Sequence, residues 1–231
     1  MKADNEVVIF KNIPVNLETD KLLKQMHLHG DPRRFEENIE DLIKLATPIA
    51  RPKAIFKIGC VENKDRDSLE IDGIKFTGQL LRDNLDKVES VFICLVTCGT
   101  EVEAIEIPTS DVMKRYCLDA IKLALVVSAS TYLQNYLTKK FGLGELSSLH
   151  PGELKQFPIE MQRKLFTILG DVEGMIGVKL TDNCALVPTK SRSGIFFSKE
   201  TQFISCRMCL QRRCQARRAA YDQELAKKYQ V

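Results

Sequence analysis

The chain has no run of about 20 mostly apolar residues, the length a membrane-spanning helix needs. Its most apolar stretch, 118–133, is interrupted by Asp119, Lys122, Ser128 and Ser130 and reads as a buried helix. No membrane association is expected. The first residues carry Lys2, Asp4 and Glu6 and lead into no long apolar segment, so a secretory signal is not expected and the cytosol is the expected compartment. Internal repeats and low-complexity stretches are missing. Histidine is scarce, with three in the chain. His27 and His29 lie in a loop-like context (HLHGDP) and read as solvent-exposed rather than as metal ligands. His150 precedes a proline, and no nucleophile–histidine–acid set is visible. Gly142-x-Gly144 lacks the rest of a dinucleotide fingerprint and follows no strand.

What is present is ordinary for a globular protein. The 231 residues are 44% hydrophobic and 28% charged, which excludes a disordered or collagen-like chain and points to one large domain or two small ones. The net charge of +3 is unevenly placed. Residues 199–231 hold eight basic and three acidic side chains, +5, which leaves −2 for the rest. The basic excess belongs to the tail. Only Tyr221 interleaves an aromatic ring with the tail arginines, so nucleic-acid binding by stacking is not expected. The eight cysteines are expected to be free thiols in a reducing compartment.

Periodicity predicts a helix over 32–47, with Phe35, Ile39, Leu42, Ile43 and Ala46 on one stripe, Asp31 and Pro32 at its start, and Pro48 and Pro52 ending it. A strand is expected over 54–61. Alternation on both sides of Asp72-Gly73 predicts a tight hairpin. Leu80, Leu81, Leu85 and Val88 mark a short helix, and 90–97 (SVFICLVT) a buried strand. The longest helix is expected from about Asp111 to Lys140, stopped at Gly142. Pro158 opens a further helix carrying Leu165, Phe166 and Leu169. Short strands follow over 178–181, 184–187 and 194–197, and the tail reads as helical beyond Cys214. Strands and helices mix without a steady βαβ rhythm, which favours an α+β fold.

The sharpest local signal is Cys206-x-x-Cys209-x4-Cys214. A short loop can bring two sulfurs within reach of one metal or cluster edge, and a third can complete a face. Arg207, Arg212, Arg213, Arg217 and Arg218 lie among and just after them, with no acid between 206 and 218. Such cations favour thiolates and offset the negative charge of a thiolate-bound cluster. Cys184 is the candidate for a fourth ligand, with Cys98 behind it. Iron–sulfur and zinc remain alternatives. A helical face using the cysteines as small apolar residues is the third. A second constellation joins Pro151-Gly152, whose turn lets backbone approach a ligand, to the polar loop Lys190-Ser191-Arg192-Ser193, whose hydroxyls and cations can meet an anion. An ordinary connecting loop accounts for the same residues.

The block Gly177 to Thr181, Pro188, Ser191 and Ser193-Gly194, preceded by Pro151-Gly152 and Leu165-Phe166, resembles the activation domain of cobalamin-dependent methionine synthase and its free-standing relatives. Thr97 to Glu103 and Leu118 to Ile121 resemble segments of the free-standing forms. The resemblance implies a single C-shaped α+β domain over 1–198, with a twisted, mainly antiparallel sheet flanked by helices. The Cys/Arg-rich tail over 199–231 is an addition. It further implies a partner, a cobalamin-binding methyltransferase or corrinoid protein, on which this chain docks as an accessory of a methionine synthase system. The chain would reach cobalamin only through that partner. An iron–sulfur cluster in the tail would supply the low-potential reduction that cobalt repair needs. A non-redox subunit of a split methionine synthase, with a zinc-bound or metal-free tail, is the alternative.

Two family positions differ. The family turn reads R-x-x-P-G-Y, and its arginine and tyrosine fall at Ser148 and Glu153. In the family that arginine holds the methionyl carboxylate of S-adenosylmethionine. Serine cannot reproduce a bidentate charge pairing, a loss of about 1.5–3 kcal/mol or about ten- to a hundredfold in affinity. S-adenosylmethionine is therefore expected to bind weakly or not at all, unless Arg192 substitutes from the facing loop.

Overall fold

The segment Ser90–Thr97 is apolar nearly from end to end because both of its faces are covered. The computed structural model, which describes residues 6–26, 33–210 and 217–229, builds the domain around it. In chain order the elements are β1 (Val8–Phe10), α1 (Thr19–Met26), α2 (Arg33–Ile49), β2 (Lys53–Glu62), β3 (Ser68–Ile71), β4 (Ile74–Thr77) and α3 (Gln79–Asn84). There follow β5 (Ser90–Thr97), α4 (Val112–Phe141), β6 (Ser147–Leu149), α5 (Met161–Leu169), α6 (Val172–Ile176), β7 (Lys179–Leu180), β8 (Leu186–Val187), β9 (Ser191–Phe197) and α7 (Gln223–Lys228). Short 3₁₀ turns occupy Glu101–Ala104 and Ser205–Arg207.

The main sheet has the order β4-β3-β2-β5-β9-β6, and every pairing in it is antiparallel. β1 shares the outer edge of β2 with β3, pairing at Ala54–Phe56 while β3 pairs at Val61 and Glu62. β7 and β8 form a separate two-stranded ribbon. The fold is the expected α+β class, a curled antiparallel sheet flanked by helices.

Alternation along the strands sends side chains to two cores. Ile55, Ile93, Leu95, Ile195 and Phe197 face α3, α5 and α6. Ala54, Phe56, Phe92, Cys94, Val96 and Phe196 face α1, α2 and α4. Fully burying one such side chain contributes roughly 1.5–3 kcal/mol, so both layers are needed to hold the curl. By length and composition α4 would pass for a membrane span. Its residues Cys117, Ile121, Leu125, Ala129 and Leu133 are instead buried in the second core.

Local chemistry explains most boundaries. Asp72 and Gly73 adopt φ of 49° and 73°, the positive values a tight hairpin turn requires. Asp111 caps α4 by accepting the amide of Lys114, and Gly142 ends the helix in the left-handed conformation. Pro48 does not stop α2, which continues one residue beyond it. A proline in the last turn forfeits little, and the Ala50 amide still reaches the Ala46 carbonyl at 2.7 Å. The helix after Pro158 begins only at Met161. The proposed start of α2 at Asp31 and Pro32, the pair His27 and His29, and Cys214 lie outside the described residues.

The tail departs from a continuous helix. Residues 217–222 are irregular, and only α7 is helical, capped by the Asp222 carboxylate on the Leu225 amide. The Arg217 guanidinium donates to the carbonyls of Cys206 (2.5 Å) and Cys209 (2.8 Å), and the Asp222 amide donates to the Arg207 carbonyl at 2.7 Å. These cross-links hold the backbone away from helical pairing. Met208 and Tyr229 belong to the first core, and Asp83 on α3 receives both Lys228 (2.7 Å) and the Tyr229 hydroxyl (2.8 Å).

Candidate functional site

Strand β6 covers only half of β9. Its three residues pair with Ile195–Phe197, and the chain then leaves the sheet at His150-Pro151-Gly152. The other half of β9, Ser191–Ser193, is left as an open edge beside that turn. A cavity of about 460 Å³ occupies the gap. That volume lies within the range of small-ligand pockets. Pro151, Gly152, Ser191, Arg192 and Ser193 all line it, so two sequence segments some forty residues apart meet in one place. Cys184 also lines it. Lys190 stands apart, its ammonium 2.9 Å from Asp119 on α4, and it is not part of the cavity wall.

The floor is held by a buried amide. Gln162 on α5 is 4% exposed. It accepts the Ser193 hydroxyl at 2.8 Å and donates to the Cys184 carbonyl at 2.5 Å, joining β9, α5 and the turn between β7 and β8. In that turn the Cys184 amide donates to the Thr181 carbonyl at 2.9 Å, and Cys184 takes a φ of 59°, a left-handed conformation rare for a residue with a β-carbon. The Gly152 turn closes through its amide on the Phe157 carbonyl at 2.8 Å.

His150 is buried with its Nδ1 2.8 Å from the Ser193 carbonyl. The carbonyl can only accept, so Nδ1 carries the hydrogen and donates. Burial, with Arg192 and Arg218 nearby, pulls the imidazole down to about 3, against the help of the Ser193 carbonyl. The ring is therefore neutral at physiological pH. It packs over Gly194, where a β-carbon would come within 2.3 Å of Nδ1.

The charged wall consists of Arg192 and Glu153. Arg192 Nη2 lies 3.6 Å from Glu153 Oε1, which also accepts the Ser205 hydroxyl from the tail at 2.8 Å. Burial pulls the Arg192 guanidinium down from its ordinary value while Glu153 opposes the shift, and the group remains a cation. Glu153 Oε2 is buried and has no hydrogen-bond partner among the described residues. Ser148, at the position of the family arginine, is buried in β6 opposite Phe196 and cannot carry a charge to the cavity.

The tail cysteines lie close by. Cys206 and Cys209 are half-buried free thiols on one short loop. Cys206 Sγ accepts the Arg218 amide at 3.4 Å, and Arg217 clamps both carbonyls. Two thiols so held, with cationic neighbours, fit the thiolate donors that a cluster or zinc requires. Among the described residues no three His, Cys, Asp or Glu side chains form a group that could hold a metal ion. Cys94, Cys98 and Cys117 belong to the second core, whereas Cys60 is half-buried. Burial pushes the Cys98 thiol up to about 12, with Glu103 adding to the rise, pushes Cys117 up to about 11, and raises Cys94 as well.

Sequence reasoning missed Gln162 and did not place Glu153 in the wall. A glutamine on an amphipathic helix gives no signal of the partner it will meet across the sheet. Glu153 was visible only as a departure from a pattern.

No family model and no curated protein matches the chain. Among solved structures, the MetH reactivation domain bound to AdoHcy is similar, with a TM-score of 0.64 and 15% sequence identity over 86% of this chain and 80% of that one. At that identity the likeness is one of fold: this chain folds as the MetH reactivation domain does.

Proposed function

We propose that this chain is an accessory protein of a methionine synthase system. It receives an S-adenosyl ligand in the cavity beside Pro151-Gly152 and docks on a cobalamin-bearing partner to support return of its cobalt to the active state. The observation that carries this reading is the meeting of Pro151-Gly152 with Ser191-Arg192-Ser193 at the uncovered edge of β9, on a fold shared with a domain solved with AdoHcy. The chain's own residues bind and orient in this reading. Gln162 fixes the floor, neutral His150 holds the edge, and Arg192 faces the ligand's anionic end.

The tail adds the redox half of the proposal. Cys206, Cys209 and Cys214 would hold an iron–sulfur cluster, and Cys184, which forms no metal-holding group with Cys206 and Cys209, does not supply the fourth ligand. Such a cluster supplies single electrons at low potential when bound. The test is sedimentation of oxygen-free protein with a cobalamin-loaded methionine synthase fragment, followed at a visible wavelength where only corrinoid and cluster absorb. The proposal expects co-sedimentation and bound iron. Separate boundaries with every cobalt oxidation state would contradict the docking, and iron-free protein would contradict the redox half.

The Arg217 clamp favours a second reading of the tail alone. Two carbonyls held by one guanidinium keep the Cys206–Cys209 loop closed without any metal. The chain would then be a non-redox binding subunit with a metal-free or zinc-bound tail. Colourless protein that still binds the corrinoid partner would support it.

A further inference from the structure

A second cavity, of about 410 Å³, opens where α7 of the tail meets α3 and the loop between β2 and β3. Arg66 lines it from the loop, Gln79, Arg82, Asp83 and Asp86 from α3 and the turn after it, and Lys228 from α7. Both carboxylates are already engaged. Asp83 accepts the Gln79 amide at 2.5 Å on one oxygen, and Lys228 (2.7 Å) and the Tyr229 hydroxyl (2.8 Å) on the other. Asp86 receives Arg82 Nη1 at 2.5 Å. Arg66 is left over: it is exposed and makes no ion pair or hydrogen bond among the described residues. Arg82 also keeps donors in reserve. Its Nε is anchored on the Asp65 carbonyl at 2.7 Å and its Nη1 on Asp86, which fixes the guanidinium plane and leaves Nη2 unbonded. A fourth cation, Lys199, lies close by, with its ammonium 3.0 Å from Asn84 Oδ1 on α3. Burial pulls this ammonium down from its ordinary value against the opposing charge of Asp83, and Lys228 adds to the fall. Four cations therefore crowd two carboxylates here.

We propose that Arg66, Arg82 and Lys228 bind a phosphate group in this cavity. A surplus of positive charge in a recess draws in an anion, and a guanidinium presents its N–H groups in a fork that matches phosphate oxygens. The surplus of two matches the charge of a phosphate monoester near neutral pH, about −1.5 to −2. Arg82, fixed at two points, supplies a preset donor. Arg66, free of other contacts, closes on the anion from the loop. Lys228 adds its charge from α7. The volume falls in the range of small-ligand sites, so a small organic group esterified to the phosphate also fits. The site is separate from the cavity at Pro151-Gly152 and does not depend on the S-adenosyl reading. It also gives the end of the tail a role, because α7 supplies one wall and a bound anion ties that wall to α3.

The test is calorimetry on the full chain with inorganic phosphate and with glycerol 3-phosphate, at an ionic strength held constant with sodium chloride, paired with an amide NMR titration. Saturable binding at millimolar concentration or below is expected, with shifts confined to the amides of residues 66, 79–86 and 227–229. Arg66→Gln is expected to weaken binding about tenfold or more, the loss of one charge-assisted contact. Its thermal midpoint without ligand should equal that of the wild type, because the Arg66 side chain holds nothing in place. Equal affinity for the two probes assigns the site to free phosphate, and tighter binding of the ester assigns it to a phosphorylated metabolite; either result upholds a phosphate site. Absence of saturable binding by both probes, an affinity unchanged in Arg66→Gln, or shifts centred elsewhere on the molecule overturns it.

Discussion

His150 Nδ1 donates to the carbonyl of Ser193 across 2.8 Å and occupies the space that a β-carbon at Gly194 would take. The contact seals the point where β6 ends and the cavity begins. It also explains the Ser-x-Ser-Gly pattern physically, because the serine hydroxyl goes to Gln162 and the glycine makes room for the ring.

Gly194→Ala is therefore expected to be costly. Its β-carbon would meet Nδ1 at 2.3 Å and the Leu149 carbonyl at 2.8 Å, so the backbone must shift. Overpacking of this kind destabilises by about 1–3 kcal/mol. Urea unfolding should show a lower midpoint with an unchanged slope. A midpoint equal to that of the wild type would contradict the packing.

His150 also predicts a pH dependence. Its folded-state value of about 3 lies below the ordinary 6.5, so the unfolded chain binds the extra proton first as pH falls. Stability from this group is present above pH 6.5 and is lost as pH drops from there toward 3, by up to about 1.4 kcal/mol per pH unit. His150→Gln keeps a donor for Ser193 and removes the titration. The stability of the variant should fall less steeply than that of the wild type between these limits, as measured by urea unfolding at successive pH values. Parallel slopes would contradict the buried neutral ring.

The tail is packed into the domain, and Met208 tests this. It is fully buried in the core beneath the sheet, whereas its neighbour Leu210 is 59% exposed. Met208→Ala should destabilise the whole domain by about 2–5 kcal/mol. Leu210→Ala should stay within about 0.5 kcal/mol. Equal small effects from both would mean that the tail is not part of the cooperative unit.

Local chemistry made much of the fold legible in the sequence. Asp72-Gly73, Asp111 with Gly142, and the apolar run 90–97 each act through neighbours in the chain, and each element lies where expected. Elements decided by distant partners were not legible. β6 is three residues containing two serines, buried only because β9 runs beside it. α1 buries two side chains, Leu22 and Met26, too few to mark a stripe. The irregular 217–222 segment follows from the reach of Arg217 to two carbonyls, which helix propensity does not register. At the site, the turn and the loop could be identified separately. Their meeting depends on where β6 stops pairing, and the role of Gln162 depends on the packing of α5 against that edge.

The most direct measurement of the central claim is a two-dimensional amide NMR titration of the full chain with AdoHcy. The account predicts saturable shifts confined to the amides of Gly152, Glu153, Ser193 and Gly194 and their neighbours around the cavity. A spectrum unchanged at millimolar AdoHcy, or shifts centred elsewhere on the molecule, would contradict it.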